Sequence, residues 1–408
     1  MLRLRSWIAR GPLALALAGA LAVTATGPSR ADAGEAAWTG SWEGAAASGG
    51  PSFTDRTVRM VVHTTAGGQQ VRLRLTNRYG QRPLAIGAVD VAVRESGARA
   101  VPGTHRTVTF GRKGKATVPA GAELVSDPVP FRAEAEQDLL VSVYLPKDTG
   151  PSTYHLVASE AAYSSTEGDH TGENGAANYT TETASWYFLD AVDVLDTRTR
   201  GTLVAFGDSI TDGYSSTPGT NTRWPNVLAH RLSALPGGPR YGVVNAGISG
   251  NRVLSDALAG HPETGDSALR RFAHDALAEP RVRAVVLLEG ANDIGLSDRP
   301  LPAQELINGY KTLIAQAHRA NVRIYGGTIL PFRGSFYGTP ANEAVRQEVN
   351  RWILTGGAFD DTIDFASAVA DPADPQRLRA AYDSGDHVHP NSAGYEAMGD
   401  AVPLAAFS

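Results

Sequence analysis

Between Trp38 and about Asp196 the apolar positions recur at every second residue in short runs. In the stretch VRLRLT, Val71, Leu73 and Leu75 share one face while Arg72, Arg74 and Thr76 share the other, the period of a half-buried strand. VDVAV and LLVSVYL continue the series. Gly67-Gly68 separates two alternating runs in VHTTAGGQQVRL, which predicts a hairpin because both glycines tolerate positive φ. Gly, Pro and Asn punctuate the segments, and no amphipathic helical pattern of useful length interrupts them. The expectation is an all-β region, a sandwich or jelly roll.

Near Thr197–Gly201 the period changes. Apolar strands (TLVAFGDS, YGVVNAGIS, VRAVVLLEGAND, VRIYGGTILP and a weaker one around DTIDFA) now alternate with helical segments. The helical segments are RWPNVLAHRLSAL, ALRRFAHDALAEP, PAQELINGYKTLIAQAHRA, ANEAVRQEVNRWILTG and a last one from NSAGYEAMGDAV. Such alternation predicts a parallel sheet with helices on both faces. Ligands of such sheets sit beyond the carboxyl ends of the strands.

The 408-residue length is ample for two cores. Residues 1–33 carry a secretory pattern: Arg3, Arg5 and Arg10, then the apolar block PLALALAGALAV, then the small-x-small site Ala31-Asp32-Ala33. The block is too short for a bilayer-spanning helix. The division expected is thus a signal peptide over 1–33, a β domain over 34–198 and an α/β domain over 199–408. With no cysteine, the chain has neither disulfides nor a lipid-bearing cysteine, and no later run is apolar enough to hold it in a membrane. A secreted protein without a stable membrane anchor is expected. The arginine-rich, alanine- and glycine-rich composition is the coding habit of a GC-rich bacterium. A net charge of −5 gives no global field for nucleic acid.

Four short stretches carry candidate chemistry. Ser209, in Gly207-Asp208-Ser209, follows the first apolar strand and would be exposed at its end, where a nucleophile can be presented; an N-cap serine is the plain alternative. It is not the G-x-S-x-G elbow, because Thr211 stands where the second glycine would be. NAGISGN and EGANDIG end the next two strands. Gly247 would let a backbone N–H approach an oxyanion, and Asn292 would supply an amide donor, completing an oxyanion hole with the Ser209 N–H; turn chemistry alone also explains both residue types. In Asp386-His387-Val388-His389-Pro390, His389 would be a general base oriented by Asp386. A solvated loop or a metal site using Asp386, His387 and His389 are the competing readings, although no second ligand cluster accompanies them.

Taken in order, GDSITDG, NAGISGN, GAND and DHVHP resemble the four blocks of the SGNH hydrolases, the GDSL esterase and lipase superfamily. The resemblance covers about residues 200–408. It implies a flavodoxin-like three-layer α/β fold, a Ser209–His389–Asp386 triad, and an oxyanion hole from Ser209, Gly247 and Asn292, with no cofactor. It also implies a serine esterase acting through an acyl-enzyme. Asp208 would brace the nucleophile turn, and Glu289 is either structural or part of the site. Short polar loops, GHPETGDS and RGSFYGTPAN, lack the amphipathic period of a lipase lid, so short acyl groups on a carbohydrate are the expected substrate. A lipase, phospholipase or acyltransferase of the same superfamily is the alternative. From another class, a carbohydrate-binding protein with an inert hydrolase half would use Tyr154, Trp186 and Tyr187 as sugar platforms.

Overall fold

The computed structural model describes residues 38–235 and 240–407. The signal pattern of residues 1–33 lies outside them. Two antiparallel sheets form from the alternating segments. One runs in the order Trp38–Glu43, Leu189–Leu195, Val71–Thr76, Glu123–Val125. The other has Arg56–Thr64, Gln137–Leu145 and Ala88–Ser96 at its centre. The period-two residues of both sheets meet in one core: Val71, Leu73, Leu75, Val192 and Val194 from the first, Val58, Met60, Val62, Leu139, Val141, Val89 and Val91 from the second. Among the described residues before Ser209 there is no α-helix.

The hairpin expected at Gly67-Gly68 does not form. Arg56–Thr64 and Val71–Thr76 lie in different sheets, so the glycines lie where the chain crosses over the edge of the core. Neither has positive φ. They are needed for close approach: a Cβ at Gly67 would stand 2.8 Å from the Ala133 carbonyl oxygen, and one at Gly68 2.8 Å from that of Leu195. Tyr154, Trp186 and Tyr187 are buried within the β region, not displayed as platforms.

Beyond Gly201 five parallel strands form a sheet, in spatial order Tyr241–Gly247, Gly201–Gly207, Val282–Leu288, Arg323–Gly327, Asp361–Ile363. In sequence terms this is 2-1-3-4-5, with the reversal of direction at the first strand. The strand Gly201–Gly207, inside the edge strand, is buried along its whole length because both faces are covered. Val204 and Phe206 pack beneath helices Ala268–Asp275, Ala303–Arg319 and Pro340–Thr355. Leu203 and Ala205 face helices Trp224–Ser233 and Ser392–Ala401.

The strand Tyr241–Gly247 is an edge of this sheet, and the β region covers it. The Val243 N–H donates to the Thr65 hydroxyl at 3.0 Å. Gly40 and Gly242 allow the two backbones to touch, since a Cβ on Gly242 would fall 1.8 Å from the Gly40 carbonyl oxygen. Charges cross the same seam: the buried pair Arg74 and Glu279 at 2.8 Å and the half-buried pair His274 and Glu123 at 2.9 Å.

Candidate active site

The nucleophile turn follows from its residues. Gly207 ends the strand Gly201–Gly207 where a Cβ would collide with the Leu288 carbonyl oxygen at 2.1 Å. Asp208 caps the next turn, its carboxylate accepting from the Ile210 N–H at 3.0 Å. A single helical turn, Ser209–Asp212, is closed by Gly213 at φ 94°. Ser209 is the first residue of that turn, so its N–H has no intrahelical acceptor.

His389 arrives from the loop before the last helix. Asp386 accepts from the backbone N–H groups of Val388 and His389, each at 2.8 Å, and from His389 Nδ1 at 2.6 Å. Burial opposes ionisation of Asp386, but these donors outweigh it and hold the carboxyl well below the usual carboxylate range. With Nδ1 donating, Nε2 carries the lone pair, and it lies 2.8 Å from Ser209 Oγ. The Tyr214 ring packs against His389 at 4.7 Å between centroids, its carbonyl held by the Tyr395 hydroxyl at 2.7 Å. The structure thus joins Ser209, His389 and Asp386. His387 instead donates to Asp383 at 2.5 Å, away from the hydroxyl, so the two histidines of the motif have different partners.

The glycine expectation needs correction. Gly247 is the last residue of its strand, and its N–H donates to Asn245 Oδ1 at 3.0 Å. A group so engaged is not free to receive an oxyanion. Three residues on, Gly250 sits in the following loop with φ +83°, and among the described residues its N–H has no acceptor. The next carbonyl, that of Asn251, accepts from Asn292 Nδ2 at 2.9 Å, so this loop and Asn292 are directly joined. Asn292 is the second residue of the short helix Ala291–Gly295, and its Oδ1 accepts from the Tyr337 hydroxyl at 2.7 Å, which fixes the orientation of the amide. Among the described residues the Ser209 N–H and the Gly250 N–H thus have no backbone acceptor, and Asn292 Nδ2 keeps a second hydrogen beyond the one given to Asn251. Both glycines stand in NAGISGN, and residue type alone does not say which N–H is already engaged.

Beneath the site lies Arg271, fully buried on helix Ala268–Asp275. It donates to the carbonyls of Gly207 and Ala246, each at 2.8 Å, and to Asn251 Oδ1 at 2.8 Å, and it stacks over Phe206. One guanidinium thereby ties two strand ends to the Gly250 loop. Glu289 is buried 3.7 Å from it, so Glu289 is part of the foundation. Burial, then the neighbouring Asp208, pushes the Glu289 carboxyl well up; burial likewise brings Asp208 to about 7. Neither Arg271 nor Tyr337 had a sequence signal, since both lie far along the chain in segments that read as an ordinary surface helix and a polar loop.

Residues 205–397 match the model of the GDSL-like lipase/acylhydrolase family. The chain carries a GDSL-like lipase/acylhydrolase domain. It is in class a carboxylic ester hydrolase. No curated protein matches the sequence. Solved structures similar to it include a GDSL-like lipase from Bacteroides thetaiotaomicron (17% identity, 50% of this chain and 87% of that one, TM-score 0.38). An inhibitor-bound aryl esterase from M. smegmatis aligns at 16% identity over 48% of this chain and 94% of its own, TM-score 0.38. A family two carbohydrate esterase from Clostridium thermocellum, in complex with cellohexaose, aligns at 14% identity over 88% of this chain and 94% of its own, TM-score 0.38.

Proposed function

We propose that this GDSL-type protein is a secreted serine esterase that removes short acyl groups from carbohydrate esters through an acyl-enzyme. The observation that carries the mechanism is the hydroxyl–imidazole–carboxylate line, 2.8 Å and 2.6 Å long. Ser209 Oγ attacks the ester carbonyl while its proton passes to His389 Nε2. Asp386 holds the tautomer and balances the imidazolium. The carbonyl electrons move onto oxygen, where the N–H groups of Ser209 and Gly250 and the Asn292 amide stabilise them. Collapse expels the alcohol, which takes the proton from His389. Water then repeats the sequence on the acyl-enzyme and releases the acid.

Short acyl groups are supported by the surroundings. The segments 255–266 and 328–339 beside the site contain no α-helix, only the three-residue turn Pro262–Thr264, so neither has the amphipathic helix of a lid. Tyr214 over His389 and Phe336 beside Tyr337 are exposed, and each offers one flat ring of the kind that packs on a sugar. Export is supported by the pattern in residues 1–33. The β region reads as a sandwich or jelly roll of the kind that braces the edge of the hydrolase sheet.

The test is hydrolysis of p-nitrophenyl esters of rising acyl length beside acetate release from acetylated xylan, by wild type and Ser209→Ala. Wild type should prefer acetyl, act on the xylan, and keep its activity in EDTA, whereas Ser209→Ala should be inactive on both. A preference for chains of about ten carbons or more would overturn the carbohydrate part, since each buried CH₂ is worth about 0.8 kcal/mol only where an apolar channel receives it.

A further inference from the structure

We propose that His155, from the β region, is a positioning residue for the hydrolase site: it holds Asp212, and Asp212 holds the peptide that presents the Gly250 N–H. His155 ends the strand Ser152–His155 and is buried against Trp186. Its Nε2 lies 3.0 Å from Asp212 Oδ1. Asp212 is the last residue of the helical turn that begins with Ser209. Its other oxygen, Oδ2, accepts from the Ser249 N–H at 3.1 Å and from the Ser249 hydroxyl at 2.6 Å. The next N–H along the chain is that of Gly250. One carboxylate therefore links the nucleophile turn to the oxyanion loop, and the β region grips that carboxylate from behind.

The surroundings of His155 say what it does there. Nδ1 faces the Ala45 carbonyl oxygen at 2.8 Å, and Nε2 faces the Val157 carbonyl oxygen at 3.0 Å as well as Asp212. Oxygen acceptors on both sides require both nitrogens to donate, so the ring is an imidazolium without a lone pair. It cannot act as a base. It pairs the buried Asp212 carboxylate through Oδ1 and so fixes the direction in which the other oxygen faces Ser249. The same segment of the β region also holds the loop after the turn, with the Gly219 N–H donating to the Ser159 carbonyl at 3.0 Å.

This inference rests on Ser209 as nucleophile and on the Gly250 loop as part of the oxyanion hole, so Ser209→Ala is the reference variant. The probes are p-nitrophenyl acetate and a trifluoromethyl ketone, which forms a charged hemiketal with the serine. In His155→Ala, kcat should fall by about tenfold to a hundredfold with KM changed less than about twofold, and the ketone should weaken by a similar factor, as expected when transition-state contacts alone are misplaced. His155→Gln, which keeps one donor, should fall between wild type and His155→Ala. Adding Asp212→Asn to His155→Ala should cost less than about twofold more, because the two act as one unit. Thr65→Val, which removes a seam hydrogen bond to the Val243 backbone and no contact to the site, should lower the melting temperature and leave kcat unchanged. If His155→Ala folds and keeps wild-type kcat while Ser209→Ala is inactive, the proposal is wrong. It is equally wrong if Thr65→Val loses kcat to the same extent. Should His155→Ala fail to fold, Ser249→Ala tests the same link and must lower kcat and weaken the ketone. An active Ser209→Ala would instead overturn the nucleophile assignment.

Discussion

Two histidine–carboxylate pairs flank the helical turn that starts at Ser209, and they have opposite uses. His389 and Asp386 lie on a half-exposed loop, 2.6 Å apart, with the second ring nitrogen turned to a hydroxyl that can donate to it. His155 and Asp212 are buried, 3.0 Å apart, with carbonyl oxygens around the ring. The residue types are the same, and so is the distance scale. What differs is whether one nitrogen keeps a lone pair. A base needs an acceptor site facing a proton donor; a ring enclosed by acceptors can only donate. Proton chemistry on one side of the turn and rigidity on the other thus follow from neighbours, not from the pair itself.

The sharpest break of this comparison is at the reactive pair. Ser209→Ala or His389→Ala should lower kcat on the order of 10⁴ or more, as for other serine triads, measured on p-nitrophenyl acetate. Asn292→Ala should cost about 10²–10³ in kcat with a smaller change in KM, because the amide acts on charge that develops in the transition state. Next comes Tyr337→Phe, which removes the hydroxyl that donates to Asn292 Oδ1. The loss of a single orienting hydrogen bond should lower kcat by about twofold to tenfold.

The smallest effect belongs to a third histidine, at the seam. Burial lowers the affinity of His274 for its proton, but hydrogen bonds to Asp275 and Glu123 and the charge of Asp190 raise its value to about 10. A folded value above the unfolded one, about 6.5, means that its contribution to stability is complete below the latter and is lost as pH rises through the former. The melting temperature should decline between about pH 7 and 10, and His274→Gln should flatten that decline. An unchanged slope in the variant would show that other seam groups set the alkaline limit.

The sequence by itself determined the elements and their layers. Alternation of period two marked the β region, and the switch to apolar strands between helices marked the parallel sheet, because the period reports directly how many faces of an element are buried. It also placed Ser209, Asn292, Asp386 and His389 at strand ends or in one late loop, since chemistry at such ends needs short, local motifs. Tertiary structure decided the rest. Gly67-Gly68 reads as a turn, yet the residues are there for close contact with the Ala133 and Leu195 backbones, neighbours more than sixty residues away. Gly247 and Gly250 are indistinguishable by type, and only the hydrogen bond to Asn245 shows which N–H is already spent. Arg271, Tyr337 and His155 act through partners from other elements, the last from the other half of the chain. Such roles leave no local pattern, because a hydrogen bond or an ion pair depends on distance in space, and sequence separation does not encode it.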